Sequence, residues 1–209
     1  MNSARLFIVS APSGCGKGTI LHKVFSDDKA FYSVSCTTRS PRNEDTDGVT
    51  YHFIDKERFE KMIAEGGFLE YAIYAGNYYG TPRAAAEKNL AKGKDVVLEI
   101  ETQGAFQVKK LMPEAVSVFI LPPSIKELER RLYKRGTESE DVIAKRVSEA
   151  KGEIEKADKY DYVIMNDDLN DALRDFELVI SSVKANDNRA EKFKALNMKD
   201  VIEEVLKNA

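Results

Sequence analysis

Three observations put this 209-residue chain in the α/β class. Short, mostly apolar runs recur at LFIV (6–9), VVLEI (96–100), VSVFIL (116–121) and YVIM (162–165). Segments with apolar residues at helical spacing lie between and after them, as at Ile20, Leu21, Val24 and Phe25, and at Leu173, Phe176, Val179, Ile180 and Val183. A glycine-rich turn, APSGCGK, joins the first run to the first helical segment. Strands buried on both faces and alternating with helices form parallel sheets, so the pattern predicts a central parallel sheet with helices on both faces.

The first strand, 6–9, delivers the chain to Ala11, Pro12, Ser13, Gly14, Cys15, Gly16 and Lys17, and a helix opens there. Strand, glycine-rich turn and helix in that order read as a phosphate-binding P-loop. Gly14 and Gly16 let backbone N–H groups converge on anionic oxygens, and the helix N-terminus adds positive potential. Lys17 would reach the β- and γ-phosphates of ATP. Gly18 stands where a hydroxyl residue normally holds magnesium; Thr19, one place on, can hydrogen-bond phosphate instead. The GKGT segment is similar to the corresponding one of adenylate kinases, where nucleotide phosphates and water hold most of the metal's shell. Mg2+ is therefore expected to arrive with ATP, and no protein ligand to it is assigned. Cys15 reads as a small loop residue rather than a nucleophile.

Two segments depart from the strand–helix rhythm. Residues 35–81 are aromatic and densely charged; the alternating run VTYHFI (49–54) predicts a strand and the stretch near 58–65 a helix, together an inserted α+β lobe. Residues 124–156 are charged and helical, with KRGTESE separating two helices. Beyond 186, Phe193, Leu196, Met198, Val201, Ile202 and Val205 predict a final amphipathic helix. The expected organisation is one domain spanning 1–209: a three-layer α/β/α core at about 4–34, 82–123 and 157–209, a lobe at about 35–81 and a helical lid at about 124–156.

Composition narrows the function. Hydrophobic residues make up 43% of the chain, enough for a sizeable core. With 32 basic and 35 acidic residues and a net charge of -3, nothing suggests a nucleic-acid-coating protein. Two cysteines and two histidines, none at ligand-like spacing, form neither a disulfide framework nor a zinc site. The N-terminus lacks the features of a signal peptide and no long apolar run occurs, so a cytoplasmic protein with no membrane partner is expected.

Three further segments carry a resemblance: SCTTRSPRNEDTDGVTY (35–51), GFLEYAIYAGNYYGTP (67–82) and VVLEIETQGA (96–105). Together with the P-loop, in this order, they resemble the guanylate kinases, and the likeness runs from Leu6 to about Val183. It implies phosphoryl transfer from ATP to GMP, giving ADP and GDP, in purine nucleotide metabolism, and extends to dGMP because nothing obviously reads the ribose 2′-hydroxyl. By this resemblance Arg39, Arg42, Tyr51 and Tyr79 hold the GMP phosphate, where guanidinium forks suit the anion. Asp45 occupies the place of the family's phosphate-side acid. Glu70 accepts N–H groups of the guanine edge, with the Ser35 and Thr81 hydroxyls donating to O6; adenine would leave these groups unpaired. Glu99 lies near the metal and its waters and Glu101 toward the guanine, both where many members have Asp.

In ELERRLYKRGTESEDVIAKR, the resemblance makes Arg131, Arg135 and Arg146 the lid and catalytic arginines, closing on the equatorial oxygens of the transferred group. Arg131 and Arg135 are four apart and share a helix face; Arg130 reads as a surface ion-pair partner. Asn166 lies near the donor adenine by resemblance, although the NDD segment (166–168) also reads as a helix cap. Two other readings compete: a non-catalytic scaffold module of the same fold, and a kinase for another nucleoside monophosphate. Oligomeric state is not legible.

Overall fold

The computed structural model describes residues 4–25, 30–136 and 139–208, and the chain divides into two compact units. Among the described residues, one comprises 4–8 and 30–115, the other 9–25, 116–136 and 139–208. Strand β1 (Leu6–Ser10) runs through the boundary.

In the first unit, β2 (Ala30–Tyr32) pairs in parallel with β7 (Asp95–Glu99), Ala30 opposite Asp95 and Tyr32 opposite Val97, and β7 neighbours β1. The inserted segment builds a second sheet in the order β4 (His52–Phe53), β3 (Cys36–Thr37), β6 (Asn77–Pro82), β5 (Phe68–Tyr74). Helix α2 (Lys56–Ala64) starts where Asp55 accepts a hydrogen bond from the Arg58 N–H at 2.7 Å. Its Phe59 stacks on Phe68 and Tyr78, with ring centroids 4.3 and 5.0 Å apart, beside Cys36, Ile54 and Met62. The lobe thus has a small apolar core of its own. Helix α3 (Arg83–Ala91) packs on β7 and β5, and α4 (Thr102–Leu111) packs on β5.

In the second unit β1 neighbours β8 (Val116–Leu121), which pairs in parallel with β9 (Tyr162–Met165). The sheet therefore reads β2-β7-β1-β8-β9, the central parallel sheet expected of an α/β fold. Nearly every residue of β1, β7 and β8 is buried, which is why these strands appear in the sequence as apolar runs without alternation. Helix α1 (Lys17–Val24) packs against α7 (Leu169–Ala185), with Phe25 meeting Phe176 edge-on at 5.9 Å. Helices α5 (Ile125–Arg135) and α6 (Glu140–Ile154) pack together, the two-helix arrangement predicted for 124–156.

Two expectations are corrected. The alternating run at 49–54 yields only His52–Phe53 as strand. Upstream of it Thr46 and Thr50 close a turn through backbone and hydroxyl bonds, and Val49 stays 68% exposed with no strand opposite. The C-terminal helix is shorter than its apolar pattern implies. Glu191–Phe193 and Ala195–Asn197 form single 3-10 turns before α8 (Lys199–Lys207). Leu196 points outward at 71% exposure, so its apolar character belongs to no helix face. Helix α8 packs on α6 and the neighbouring 3-10 turns, burying Ile202 and Val205. Among the described residues no helix is long and apolar enough to cross a membrane.

Candidate functional site

Strand β1 ends in a tight loop. Ala11 and Pro12 are buried, Ser13 is exposed, and the Cys15 N–H bonds the Pro12 carbonyl at 3.1 Å. Gly14 and Gly16 have φ of +92° and +84°, left-handed values that strain any side chain. No side chain caps α1, so the N–H groups of its first turn, with the helix dipole behind them, form an anion cradle headed by Lys17. Thr19 is exposed, and a Cβ at Gly18 would meet nothing within 4 Å. Packing does not forbid a hydroxyl residue at 18.

The loop is braced from below. The Asn166 amide, buried at the end of β9, donates to the Cys15 carbonyl at 2.7 Å, and a Cβ at Gly16 would lie 2.6 Å from that amide nitrogen. Glycine at 16 therefore serves both the backbone angle and the reach of Asn166. Cys15 is fully buried, its thiol donates toward the Ile120 carbonyl at 3.5 Å, and burial pushes its pKa up to about 12. It fills space and is no nucleophile. Helix capping falls to Asp168, whose carboxylate accepts the Asn170 and Asp171 N–H groups.

Arg131 and Arg146 are bonded close to this loop. Arg131 donates to the Asn166 carbonyl at 3.0 Å and the Asp167 carbonyl at 3.4 Å, while its Nε bonds Glu127 at 2.8 Å. Hydrogen bonds from Arg130 and Arg131 hold the Glu127 carboxyl down to about 2. Arg130 is otherwise the exposed ion-pair partner expected. Arg146 donates to the Ser13 hydroxyl at 2.6 Å. Arg135 is the last residue of α5. Leu128 and Leu132 of the same helix lie where a Cβ on Gly14 would meet them at 3.3 and 2.9 Å.

The first unit holds the residues that the family resemblance assigned to GMP. On the β5–β6 hairpin Glu70 stands opposite Thr81, and a register shift between Phe68 and Glu70 keeps Phe68, Leu69 and Glu70 all buried. The Thr81 hydroxyl donates to Glu70 Oε1 at 2.6 Å. Burial raises the Glu70 pKa above the ordinary carboxylate value, and the bonds from Thr81 oppose this. Since that hydroxyl has one proton, the donation expected from Thr81 to a guanine O6 requires it to turn from Glu70. Ser35 is half-buried, and its carbonyl accepts the His52 N–H at 2.8 Å.

A cationic corner forms around Arg39. Its guanidinium bonds Asp45 at 2.8 Å and lies over the Tyr51 and Phe53 rings, 5.5 and 5.7 Å from their centroids. Tyr79 meets Tyr51 edge-on at 5.7 Å. The Arg42 N–H bonds Asp45 at 2.7 Å while its side chain is exposed. That N–H first, then the Arg39 guanidinium, depress the Asp45 pKa. Asp45 thus orients Arg39. Glu99 ends β7 and accepts the Tyr32 hydroxyl, whose pKa is raised by burial and by that carboxylate. Glu101 is exposed at the N-cap of α4.

Sequence reasoning missed several supporting residues. Tyr32 sits on a three-residue strand too short to show a period. Gln107 bonds both backbone groups of Tyr71 on the hairpin, and Asp47 accepts the Phe53 N–H; ordinary surface residues carry no local signal for such roles. Gly104, in the first turn of α4, did carry one, because glycine inside a helix is unfavourable without cause. Among the described residues, no group of three or more His, Cys, Asp or Glu is placed to hold a metal ion.

A glycine turn after the first strand of a parallel sheet, a lysine opening the helix and an arginine, Arg146, bonded to the same loop define a P-loop phosphotransferase. The family model for guanylate kinase matches residues 3–183. A guanylate kinase of Thermus thermophilus is 50% identical over 185 residues, 88% of this chain and 84% of that one. One of Aliivibrio fischeri is 52% identical over 200 residues, 94% and 97% of the two chains. The crystal structure of guanylate kinase from Anaplasma phagocytophilum superimposes with a TM-score of 0.70 at 33% identity, covering 88% of this chain and 87% of that one. The chain belongs to the guanylate kinase family.

Proposed function

We infer that this chain transfers the γ-phosphoryl group of ATP to GMP, giving ADP and GDP. Family membership supports the reaction, and one observation carries the acceptor's identity: a buried carboxylate, Glu70, held opposite Thr81 on a rigid hairpin. Such a pair suits a base edge with two adjacent N–H donors, which guanine has and adenine lacks. The same geometry suits dGMP, and no residue is assigned to the 2′-hydroxyl.

The donor phosphates lie in the amide cradle of 11–19, with Lys17 countering the charge of the β- and γ-groups. Asn166 keeps the loop in shape from beneath rather than touching phosphate, a role supported by its bond to the Cys15 carbonyl. The GMP phosphate lies against Arg39, Arg42, Tyr51 and Tyr79; Asp45 positions Arg39, and Ser35 stands beside the base. Arg131, Arg135 and Arg146 neutralise charge that develops on the equatorial oxygens, which supplies stabilisation without a protein nucleophile or base, since the attacking oxygen is already anionic. Segments 35–81 and 124–156 act as acceptor lobe and lid.

Magnesium, which ATP-dependent phosphotransfer uses, would supply positive charge to offset that of the transferred phosphates. The residues present fit a metal that keeps most of its own waters: position 18 lacks a hydroxyl although space for one exists, and Glu99 is the acid nearest to that task by family resemblance. ADP release measured with GMP, dGMP, AMP, CMP and UMP tests the assignment; GMP should be turned over best, and turnover of AMP without GMP overturns it. Lys17→Ala should lower kcat by ~10³-fold while GMP still binds in calorimetry. An unchanged kcat removes Lys17 from the donor site.

A further inference from the structure

We propose that Gly104 is a positioning residue for guanine recognition: the missing side chain at 104 is what allows the Glu70 carboxylate to stand where it meets the base. The proposal rests on the reading of Glu70 given above. Gly104 lies in the first turn of α4, and its backbone is not among the left-handed ones, so the helix has no conformational need of glycine there. Alanine would make the better helix.

What an added Cβ would meet explains the choice. The three nearest atoms all belong to the Glu70 side chain: Oε2 at 2.6 Å, Cδ at 3.0 Å and Cγ at 3.1 Å. The other carboxylate oxygen, Oε1, is held by the Thr81 hydroxyl at 2.6 Å. The carboxylate is thus bounded by a hydroxyl on one side and by bare helix backbone on the other. Ordinary contact begins at 3.4 Å, so Oε2 would retreat by about 0.8 Å if residue 104 carried a methyl group. With Oε1 tethered to Thr81, the group would pivot, and a base edge with two parallel N–H bonds would lose one of its two acceptors. The obstacle is the Glu70 side chain from Cγ outward and no backbone atom, so the side chain gives way before α4 or β5 does. Gly104→Ala should fold with its recognition group displaced.

A four-member cycle tests this: the parent, Gly104→Ala, Glu70→Ala and the double variant, each measured for kcat/KM with GMP, KM for ATP, and Tm without nucleotide. Gly104→Ala should lower kcat/KM for GMP by ~10- to 100-fold and leave the KM for ATP within ~2-fold. In the Glu70→Ala background the same substitution should cost nothing further with GMP and should raise Tm by ~2 °C, because alanine then gains helix propensity with no carboxylate in its way. A further loss with GMP, or a lowered Tm, in that background overturns the proposal, since Gly104 would then act on something other than Glu70. If Glu70→Ala leaves kcat/KM for GMP unchanged, the recognition reading itself falls and the proposal with it. That outcome is distinct from a large Glu70 effect to which Gly104 is uncoupled.

Discussion

Glu70 keeps a carboxylate out of water beside a single hydroxyl donor, and its chemistry follows from that conflict. Burial raises its pKa, so the folded chain holds this proton to higher pH than the unfolded chain does. The stability associated with the protonated form is complete below the unfolded value of ~4.3 and is lost as pH rises through the folded value. At neutral pH the ionised group therefore opposes folding. Glu70→Gln, whose amide oxygen still accepts the Thr81 hydroxyl, should melt above the parent at pH 7, with the gap closing toward pH 4. The same variant should lose ~10²-fold or more in kcat/KM for GMP. Thermal melts at pH 4 to 8 beside GMP kinetics check this; a melting gap that does not change with pH would show that the charge is not its source. The thiol of Cys15 illustrates the opposite case, burial without function: its raised pKa removes it from the chemistry and leaves it as packing beneath the P-loop.

Helix α5 shows how a secondary-structure element presents one charged group while hiding the reason for its orientation. Ser124 caps it, accepting the Glu127 N–H at 3.0 Å, and Gly136 ends it with φ of +64°. One turn in, Glu127 faces both Arg130 and Arg131, and this pairing turns Arg131 toward the carbonyls of Asn166 and Asp167. A carboxyl held near 2 is depressed below its unfolded value, so its stabilising pairing is complete above ~4.3 and lost only as pH falls toward 2. Glu127→Gln should therefore lower kcat by ~10-fold by the same factor at every pH from 6 to 9, with both KM values within ~2-fold. Steady-state kinetics across that range decide it, and an unaltered kcat would mean that Arg131 needs no help from Glu127. The β5–β6 hairpin works the same way. Its turn at Ala75 and Gly76 has positive φ at both residues, which matches strand twist and keeps Glu70 and Thr81 in register.

The two compact units separate the residues proposed for each nucleotide: the P-loop, Asn166, Arg131 and Arg146 in one, and Glu70, Thr81, Arg39 and Tyr51 in the other. Each ligand alone should accordingly protect its own set. GMP should slow amide exchange in peptides covering 35–53 and 68–82, whereas ATP should slow it in 11–20 and around 166. GMP at ~100 times its Kd should add ~2.7 kcal/mol of stability, a Tm rise of ~5–10 °C. GMP protecting 11–20 more than 68–82 would count against the assignment. Much of the fold was legible beforehand, because apolar runs, glycine turns and helical periods are local signals. The strands at 6–9, 116–121 and 162–165 stand essentially where expected, and the paired helices of 124–156 flank the KRGTESE turn. The strand at 49–54 shrank and the C-terminal helix shortened, because alternation without a partner strand, and apolar residues without a packing face, do not make an element.

From its residues in order, the chain declares an α/β sheet and a glycine-rich turn of the phosphate-binding kind, since each depends on chemistry carried within a few consecutive positions, whereas the arginines, carboxylates and hydroxyls proposed for two nucleotides were marked by resemblance to a family. Which groups brace which was settled only by folding. The Asn166 amide beneath Cys15, the Arg131 guanidinium on the Asn166 carbonyl, the Tyr32 hydroxyl on Glu99 and the bare backbone of Gly104 against Glu70 are all pairings through space. Hydrogen bonds and steric exclusion act over about 3 Å, and only a packed tertiary structure brings positions so far apart along the chain within that range.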